Sequence, residues 1–167
     1  MARPERQLHP GFTLAELLVV VALLGLLTTV GLAQAGRDFA RERVESASRR
    51  LALGLELGRV AASRRGSPCG LRLSASGWQA PTGGNLPACQ DAQLDLSEGV
   101  VDPAVRIDHN LPDQVRFSSN GLVLDGGTVR VAAAGTDLVR CLVMSLPLGV
   151  VRLGRWHDDS CRPDAAL

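Results

Sequence analysis

The sequence of 167 residues has few of the side chains from which enzyme active sites are built. It contains three histidines, His9, His109 and His157, and none lies in a recognisable nucleophile or metal motif. Lysine is absent, so all 18 basic residues are arginines. Because codon or lineage bias produces such a preference as readily as chemistry does, we derive no function from it. We predict that the protein is not an enzyme and needs no cofactor.

A strong excess of basic charge is also absent from the distal part of the chain. Residues 66–167 contain eight arginines and eleven acidic residues, which gives a net charge of −3. Residues 37–65 contain eight arginines and four acidic residues, which gives +4. Since nucleic-acid-binding domains usually have a basic balance, the distal charge argues against a general domain of that kind.

Four cysteines are present, Cys69, Cys89, Cys141 and Cys161, in two sequential pairs that are each 20 residues apart. Four cysteines allow three connectivities, and sequence alone does not choose among them. We favour Cys69–Cys89 and Cys141–Cys161 because both would close short local loops. Each such bridge would stabilise the fold by about 3 kcal/mol by restricting the unfolded chain.

A zinc site is the alternative for the cysteines near the carboxyl terminus. His157 and Cys161 are four residues apart, Cys141 is a third donor, and zinc sites use such ligands. An even number of cysteines behind an apolar segment is more typical of disulfides in an oxidising compartment, so we predict no metal site. The neighbouring Asp158 and Asp159 are expected to form a solvated acidic turn rather than a catalytic pair.

Near the amino terminus, residues 17–36 form a run of 20 residues without charge. The run is long enough to cross a bilayer as a helix. Glu16 stands at its head, and because a bare carboxylate there is costly, Glu16 should have a partner. An ordinary secretory signal is the alternative, supported by the sequence AQA at positions 33–35, which has the small residues of a cleavage site at its first and last positions. Against it, the run is longer than usual and Glu16 interrupts its start.

An amphipathic helix is predicted next, because small and apolar residues recur at spacings of three and four. Gly66 and Pro68 then supply a stop signal. No strong breaker lies between Gly36 and Gly66, so we expect one long helix, apolar first and amphipathic second. The apolar stripe consists of Ala40, Val44, Ala47, Leu51, Leu55, Gly58 and Ala62.

From Cys69 onward, short strand-like runs alternate with turn residues. Turns are expected at Asn120–Gly121 and at Gly126–Gly127. Residues 138–156 predict a strand, a break at Pro147 and a partner strand. Regular turns between short strands indicate an antiparallel sheet, with the amphipathic helix over one face. The predicted fold class is α+β.

These features together resemble a known family. The segment GFTLAELLVVVALLGLL, which begins at Gly11, is similar to the class III signal of type IV pilins and type II secretion pseudopilins. The segments LGRVAASRRGSPCGLRL and VRFSSNGLVLDGGTVRVA, and an ending with Gly-x-x-Arg and a last cysteine, resemble the minor pilins of the FimT and pseudopilin H (GspH) family. The resemblance covers nearly the whole chain. It implies a pilin-like fold, one long N-terminal helix packed on a small antiparallel β domain.

The resemblance also implies how the chain is divided and processed. A prepilin peptidase would cut after Gly11, and Phe12 would become an N-methylated amino terminus. On docking into a filament, Glu16 would neutralise the Phe12 amine of a neighbouring subunit. The implied parts are a leader (1–11), a transmembrane helix (12–36), an amphipathic helix that continues it (37–66), and a periplasmic β domain with a C-terminal tail (67–167).

The function implied is that of a minor pilin or pseudopilin, a structural subunit that helps to initiate or cap assembly of a type IV pilus. The alternatives are a pseudopilus subunit of type II protein secretion and a DNA-binding minor pilin of a natural-transformation pilus. The implied partners are prepilin peptidase, other minor and major pilins or pseudopilins, and the bacterial inner membrane. The periplasmic orientation follows from the resemblance and the cysteines, because arginines flank the apolar run on both sides.

DNA binding depends on one short segment near the carboxyl terminus. Some members of the resembled family bind DNA through a Gly-Arg-x-Arg segment, and residues 149–152 here read GVVR, with Val150 in place of the first arginine and Arg152 retained. Arg155 and Trp156 follow, and an arginine beside an aromatic ring can bind phosphate and stack on bases. The tail from residue 149 has no net charge, which counts against phosphate-driven affinity. The alternative is that both arginines are exposed on an edge strand, where charge discourages association between sheets.

Overall fold

The structure is a computed structural model that describes residues 12–96, 105–146 and 150–164, except for the side chains of residues 30–33. It divides into two compact units, residues 1–36 and 37–167. One helix and nine strands lie in the part of the chain that is described, and the predicted α+β class is confirmed. The elements are α1 (Leu14–Arg65), β1 (Cys69–Ser74), β2 (Gly77–Gln79), β3 (Leu94–Asp95), β4 (Val105–His109), β5 (Val115–Phe117), β6 (Gly127–Ala133), β7 (Arg140–Ser145), β8 (Val150–His157) and β9 (Ser160–Pro163).

Helix α1 is continuous over 52 residues, as the lack of internal breakers predicts. It ends at Arg65 because Gly66 adopts a φ of +60°, a left-handed conformation that glycine takes at low cost. The Gly66 N–H donates a hydrogen bond of 3.2 Å to the Ser63 carbonyl. All seven residues of the predicted stripe are buried in the second unit, so the stripe identified the face that packs on the strands.

The strands form two antiparallel sheets, whereas the spacing of the turns predicts one. The first sheet has four strands in the order β3-β2-β1-β5, and the second has five in the order β4-β6-β7-β8-β9. Strands β5 and β6 are neighbours in sequence but belong to different sheets. The chain between them crosses from one sheet to the other, a path that local turn residues do not reveal.

The two expected glycine turns have different outcomes. At Asn120–Gly121 the chain reverses, with the glycine at a φ of +74°, and Phe117 and Val123 form an isolated antiparallel bridge. The turn expected at Gly126–Gly127 is wrong, because the second glycine begins β6 and pairs with Met144. The physical reason is the sheet crossing, which needs an extended connection rather than a reversal.

Strands β7 and β8 pair antiparallel, as predicted for residues 138–156, and Pro147 lies outside the described residues. Strand β9 has no counterpart among the predicted elements. It pairs antiparallel with β8 and forms the edge of the sheet. The expectation of an edge strand is therefore wrong at Arg155, which pairs with Arg140 on one side and Arg162 on the other, whereas Arg152 pairs with Val143 of β7 and lies beyond the residues that β9 pairs with.

The core of the second unit lies between α1 and both sheets, and two helical glycines admit its largest side chains. A Cβ on Gly54 would lie 2.1 Å from Cδ1 of Trp78, and one on Gly58 would lie 2.7 Å from Cζ of Phe117. Trp78 also donates a hydrogen bond from Nε1 to the Leu51 carbonyl at 2.8 Å. The two rings can therefore approach the helix backbone only because these positions lack side chains.

The cysteines form the two local disulfides favoured by loop length, Cys69–Cys89 and Cys141–Cys161. The second bridge joins β7 to β9 across β8, which lies between them. At the crossing stands Gly154, where a Cβ would come within 3.0 Å of the Cys161 Sγ and 2.3 Å of the Arg162 carbonyl oxygen. The bridge thus fastens the edge strand to the centre of the sheet, over a residue that has no side chain.

Candidate functional site

The first candidate site is the start of α1, where Thr13 and Glu16 form a capping box. The Glu16 N–H donates to Oγ1 of Thr13 at 3.3 Å. In return, Oε2 of Glu16 accepts hydrogen bonds from the Thr13 N–H at 3.1 Å and from its hydroxyl at 3.0 Å. The two side chains satisfy donors that have no partner within the helix, and the carboxylate lies at the positive end of the helix dipole.

Thr13 thus supplies hydrogen-bond donors to Glu16 within the same chain, and the pairing of Glu16 with the Phe12 amine of a neighbouring subunit stays a prediction. The signature Thr-x-x-Glu before an apolar run is present in the sequence as TLAE, and it predicts such a box. The capping bonds use Oε2, which leaves Oε1 without a hydrogen-bond partner among the described residues. Phe12 precedes the box and is 86% exposed, while Gly11 lies outside the described residues. Glu16 can therefore cap its own helix and still accept a further donor.

The helix beyond Glu16 presents an uncovered apolar surface. Its large apolar side chains between residues 17 and 27 are 49–70% exposed. By length and composition this part of α1 can cross a membrane, and none of its most apolar window is buried in the protein. Thr28 donates its hydroxyl to the Leu24 carbonyl at 3.0 Å, and Thr29 to the Leu26 carbonyl at 2.8 Å. Because these hydroxyls are satisfied within the helix, they suit an apolar environment.

The second candidate site is on β8, where the sequence selected Arg152, Arg155 and Trp156. Successive side chains of a strand point to opposite faces, so Arg152 and Trp156 share one face and Arg155 lies on the other. Arg155 stands opposite Arg140 in the β7 register. The face that carries Arg152 and Trp156 is called the outer face below. One contact surface made of all three residues remains a prediction, and their placement on two faces disfavours it.

The outer face includes an arginine that the sequence did not single out. The guanidinium carbon of Arg130, on β6, lies 5.1 Å from the centroid of the Trp156 ring, a cation–π distance. In the register, Arg130 pairs with Cys141, and Cys141 pairs with Gly154, two residues before the tryptophan. Only strand pairing brings these positions together, so no local pattern in the sequence could have identified Arg130.

The zinc alternative loses its cysteine ligands. Cys141 and Cys161 are joined in a disulfide, and Nδ1 of His157 lies 2.8 Å from Oδ1 of Asp158. In the described ranges, no group of three or more histidine, cysteine, aspartate or glutamate residues is placed to hold a metal ion. Asp158 and Asp159 form the exposed turn between β8 and β9, with φ values of 47° and 54°. They form the acidic turn that the sequence predicts.

A charged cluster ties α1 to the carboxyl-terminal part of the domain. Arg140 is 5% exposed and donates to Oε1 of Glu45 at 3.0 Å and to Oδ2 of Asp164 at 2.5 Å. Burial lowers the pKa of Arg140, but the two carboxylates outweigh it and leave that pKa above its ordinary value. The cluster is structural, since its cation is enclosed and its two terminal nitrogens bind carboxylates, while the buried Nε of Arg140 has no hydrogen-bond partner among the described residues.

Comparison with known proteins identifies the family. The model for Type II transport protein GspH matches residues 47–147, and the prokaryotic N-terminal methylation motif matches residues 9–32, a range that contains Gly11, Phe12 and Glu16. The chain is 35% identical over 79 residues to the Type II secretion system protein H of Escherichia coli (strain K12), a match that spans 47%, or about half, of each chain. No solved structure matches. Since the GspH model covers more than half of its residues, the chain belongs to the GspH family of pseudopilins and minor pilins.

Proposed function

We propose that this protein is a minor subunit of a type IV pilus, anchored in the bacterial inner membrane, which helps to initiate or cap assembly of the filament. The observation that carries the proposal is the start of α1, an uncovered apolar helix headed by the Thr13–Glu16 box. A surface of this kind needs lipid or other apolar helices around it. Membrane insertion followed by helix packing in a filament supplies both environments in turn.

Processing prepares the amino terminus for this role. Prepilin peptidase cuts between Gly11 and Phe12, and the new amino group of Phe12 is methylated. The methylation motif that matches residues 9–32 supports this step. The processed amine carries a positive charge beside the Thr13–Glu16 box of its own chain and within reach of a neighbouring subunit.

Glu16 then serves as the register for docking. In the free subunit, the bonds from Thr13 reduce the cost of keeping the carboxylate at the membrane. In the filament, Oε1 accepts the Phe12 amine of a neighbouring subunit, and the two charges neutralise each other. Because an ion pair in an apolar environment is stable only when the geometry is good, a subunit in the wrong register is rejected.

The second unit lies in the periplasm in this proposal and has no enzymatic activity. The two disulfides support this compartment, because such bonds persist under oxidising conditions. The domain is then a surface for contacts with other pilins or pseudopilins.

The first test is the mass and sequence of the mature amino terminus, together with filament incorporation of Glu16→Ala in the native host. We expect a chain that begins at methylated Phe12, and a variant that is processed but missing from sheared filaments. Glu42→Ala is the matched control, since Glu42 is an exposed carboxylate of the same helix beyond the apolar run. A mature chain that begins at Gly36 would instead identify a secreted protein.

The second candidate function is a subunit of the type II secretion pseudopilus, and the name of the Escherichia coli relative favours it. Deletion of the gene in the native host separates the two. Loss of surface pili with normal protein secretion supports the pilus role. Loss of secretion with normal pili supports the pseudopilus role.

A further inference from the structure

The outer face of the five-stranded sheet is open to solvent. Arg130 and Arg152 are exposed there. Between them on β7 lie the half-buried Val143 and the buried Cys141 of the second disulfide, with the half-buried Thr128 beside Val143. The opposite face supplies core residues, which include Val129, Val131, Leu142 and Met144. A sheet with one solvated face usually carries polar residues on that face. Here a floor of small, mainly apolar side chains lies between two arginines.

The two arginines carry charge that the sheet does not neutralise. Asp108 lies opposite Arg130 in the register, but its carboxylate pairs with Arg106 at 3.1 Å. Over the described part of the chain, neither Arg130 nor Arg152 takes part in a salt bridge. The Trp156 ring holds the Arg130 guanidinium by a cation–π contact and leaves its N–H edge free to bind a planar acceptor such as a carboxylate.

The spacing of the two arginines follows from the register. Arg130 pairs with Cys141 and Cys141 with Gly154, so two strand spacings separate β6 from β8, and Arg152 lies two residues along β8. Standard sheet dimensions place the two Cα atoms about 12 Å apart. Side chains on the same side of an extended polypeptide, four residues apart, are separated by about 13 Å. We propose that the outer face binds an extended acidic segment of another protein, with carboxylates at positions i and i+4 on Arg130 and Arg152.

Charge complementarity favours such a segment over nucleic acid. The affinity for phosphate grows with the number of cations engaged, and among the described residues this face offers two arginines outside any salt bridge. Residues 66–167 carry a net charge of −3, which repels a polyanion as a whole. A segment with two carboxylates matches the two arginines, and its side chain at i+2, which faces the sheet with them, lies over Val143 and Cys141.

The test measures binding of a labelled peptide to the full chain in detergent micelles, by fluorescence anisotropy at low salt. The probe is the peptide Glu-Val-Ser-Val-Glu with blocked termini, and its control is Gln-Val-Ser-Val-Gln. We expect Arg130→Gln and Arg152→Gln each to weaken binding of the acidic peptide by about fivefold, the upper end for exposed ion pairs. Arg155→Gln is the matched control, because Arg155 lies on the same strand and faces the other way. It should bind the peptide as the unaltered protein does.

Every outcome of this experiment supports or contradicts the proposed peptide binding. The proposal does not depend on whether the protein is a filament subunit. Because both arginines are exposed, their glutamine variants should keep the native melting temperature. A loss of peptide binding in these variants can then not be attributed to unfolding. Three results overturn the inference: equal binding of the two peptides, equal weakening by Arg155→Gln, or tighter binding of a single-stranded oligothymidylate through the same two arginines.

Discussion

Replacing Gly54 by alanine tests how the helix and the first sheet fit together. In the structure, the added methyl would lie 2.1 Å from Cδ1 and 2.7 Å from Nε1 of Trp78. Trp78 is 1% exposed and belongs to the core, so its ring cannot turn aside without displacing its neighbours. The substitution should therefore push the strand and the helix apart and break the hydrogen bond from Trp78 to the Leu51 carbonyl.

Three terms determine the size of this effect. Overpacking of a core costs about 1–3 kcal/mol. Loss of the indole hydrogen bond costs about 0.5–1.5 kcal/mol. Alanine is a better helix former than glycine, and this difference stabilises the variant by about 1 kcal/mol. The sum is a loss of about 2 kcal/mol, which corresponds to a fall of about 7 °C in the melting temperature of a unit this size.

The assay is thermal unfolding of the full chain in detergent, followed by near-ultraviolet circular dichroism. Gly36→Ala is the matched control, since Gly36 is in the same helix and a methyl there meets nothing within 4 Å. We expect the control to melt at or above the native temperature. If Gly54→Ala and Gly36→Ala have the same melting temperature, the indole does not lie against the helix backbone and the packing argument fails.

Three further predictions concern charge and the second disulfide. Arg140→Met should lower the free energy of unfolding in urea by about 2 kcal/mol, because two half-buried carboxylates lose their cation. Hydrogen bonds from Arg116 lower the pKa of Asp125, so that carboxylate stabilises the fold above its unfolded pKa of about 3.9 and ceases to do so as the pH falls through the lowered value. Asp125→Asn should therefore flatten the fall in melting temperature below about pH 4. Replacing Cys141 and Cys161 by serine should cost about 3 kcal/mol, and the amides of β9 should be the first to gain hydrogen exchange.

Each of these has a result that contradicts it. A methionine variant as stable as the native protein would mean that the carboxylates rehydrate without loss. Identical acid profiles for Asp125→Asn and the native chain would remove Asp125 from the acid transition. Uniform exchange across the second sheet in the double serine variant would show that the bridge does not hold β9 in particular.

The parts of this fold that depend on neighbouring residues could be predicted from the sequence. Helix periodicity selected the buried stripe from Ala40 to Ala62, because a regular helix presents every third or fourth residue to one side. A glycine at position 66 ended the helix, and the short loops between cysteines favoured the observed pairing. The capping box at the start of α1 could be predicted in the same way from Thr13 and Glu16, although the sequence analysis singled out only Glu16.

Contacts between distant residues were decided by the tertiary structure alone. Strand pairing decides the division into two sheets, the addition of β9 and the proximity of Arg130 to Trp156. The sequence of a strand does not specify which other strand it pairs with. The cluster of Arg140 with Glu45 and Asp164 joins residues 95 and 24 positions apart. The sequence by itself therefore determined the helix, its buried face and the membrane-length run, because these depend on local spacing. The tertiary structure determined which charges are buried and which face of the sheet is left to bind, because burial depends on what packs from far along the chain.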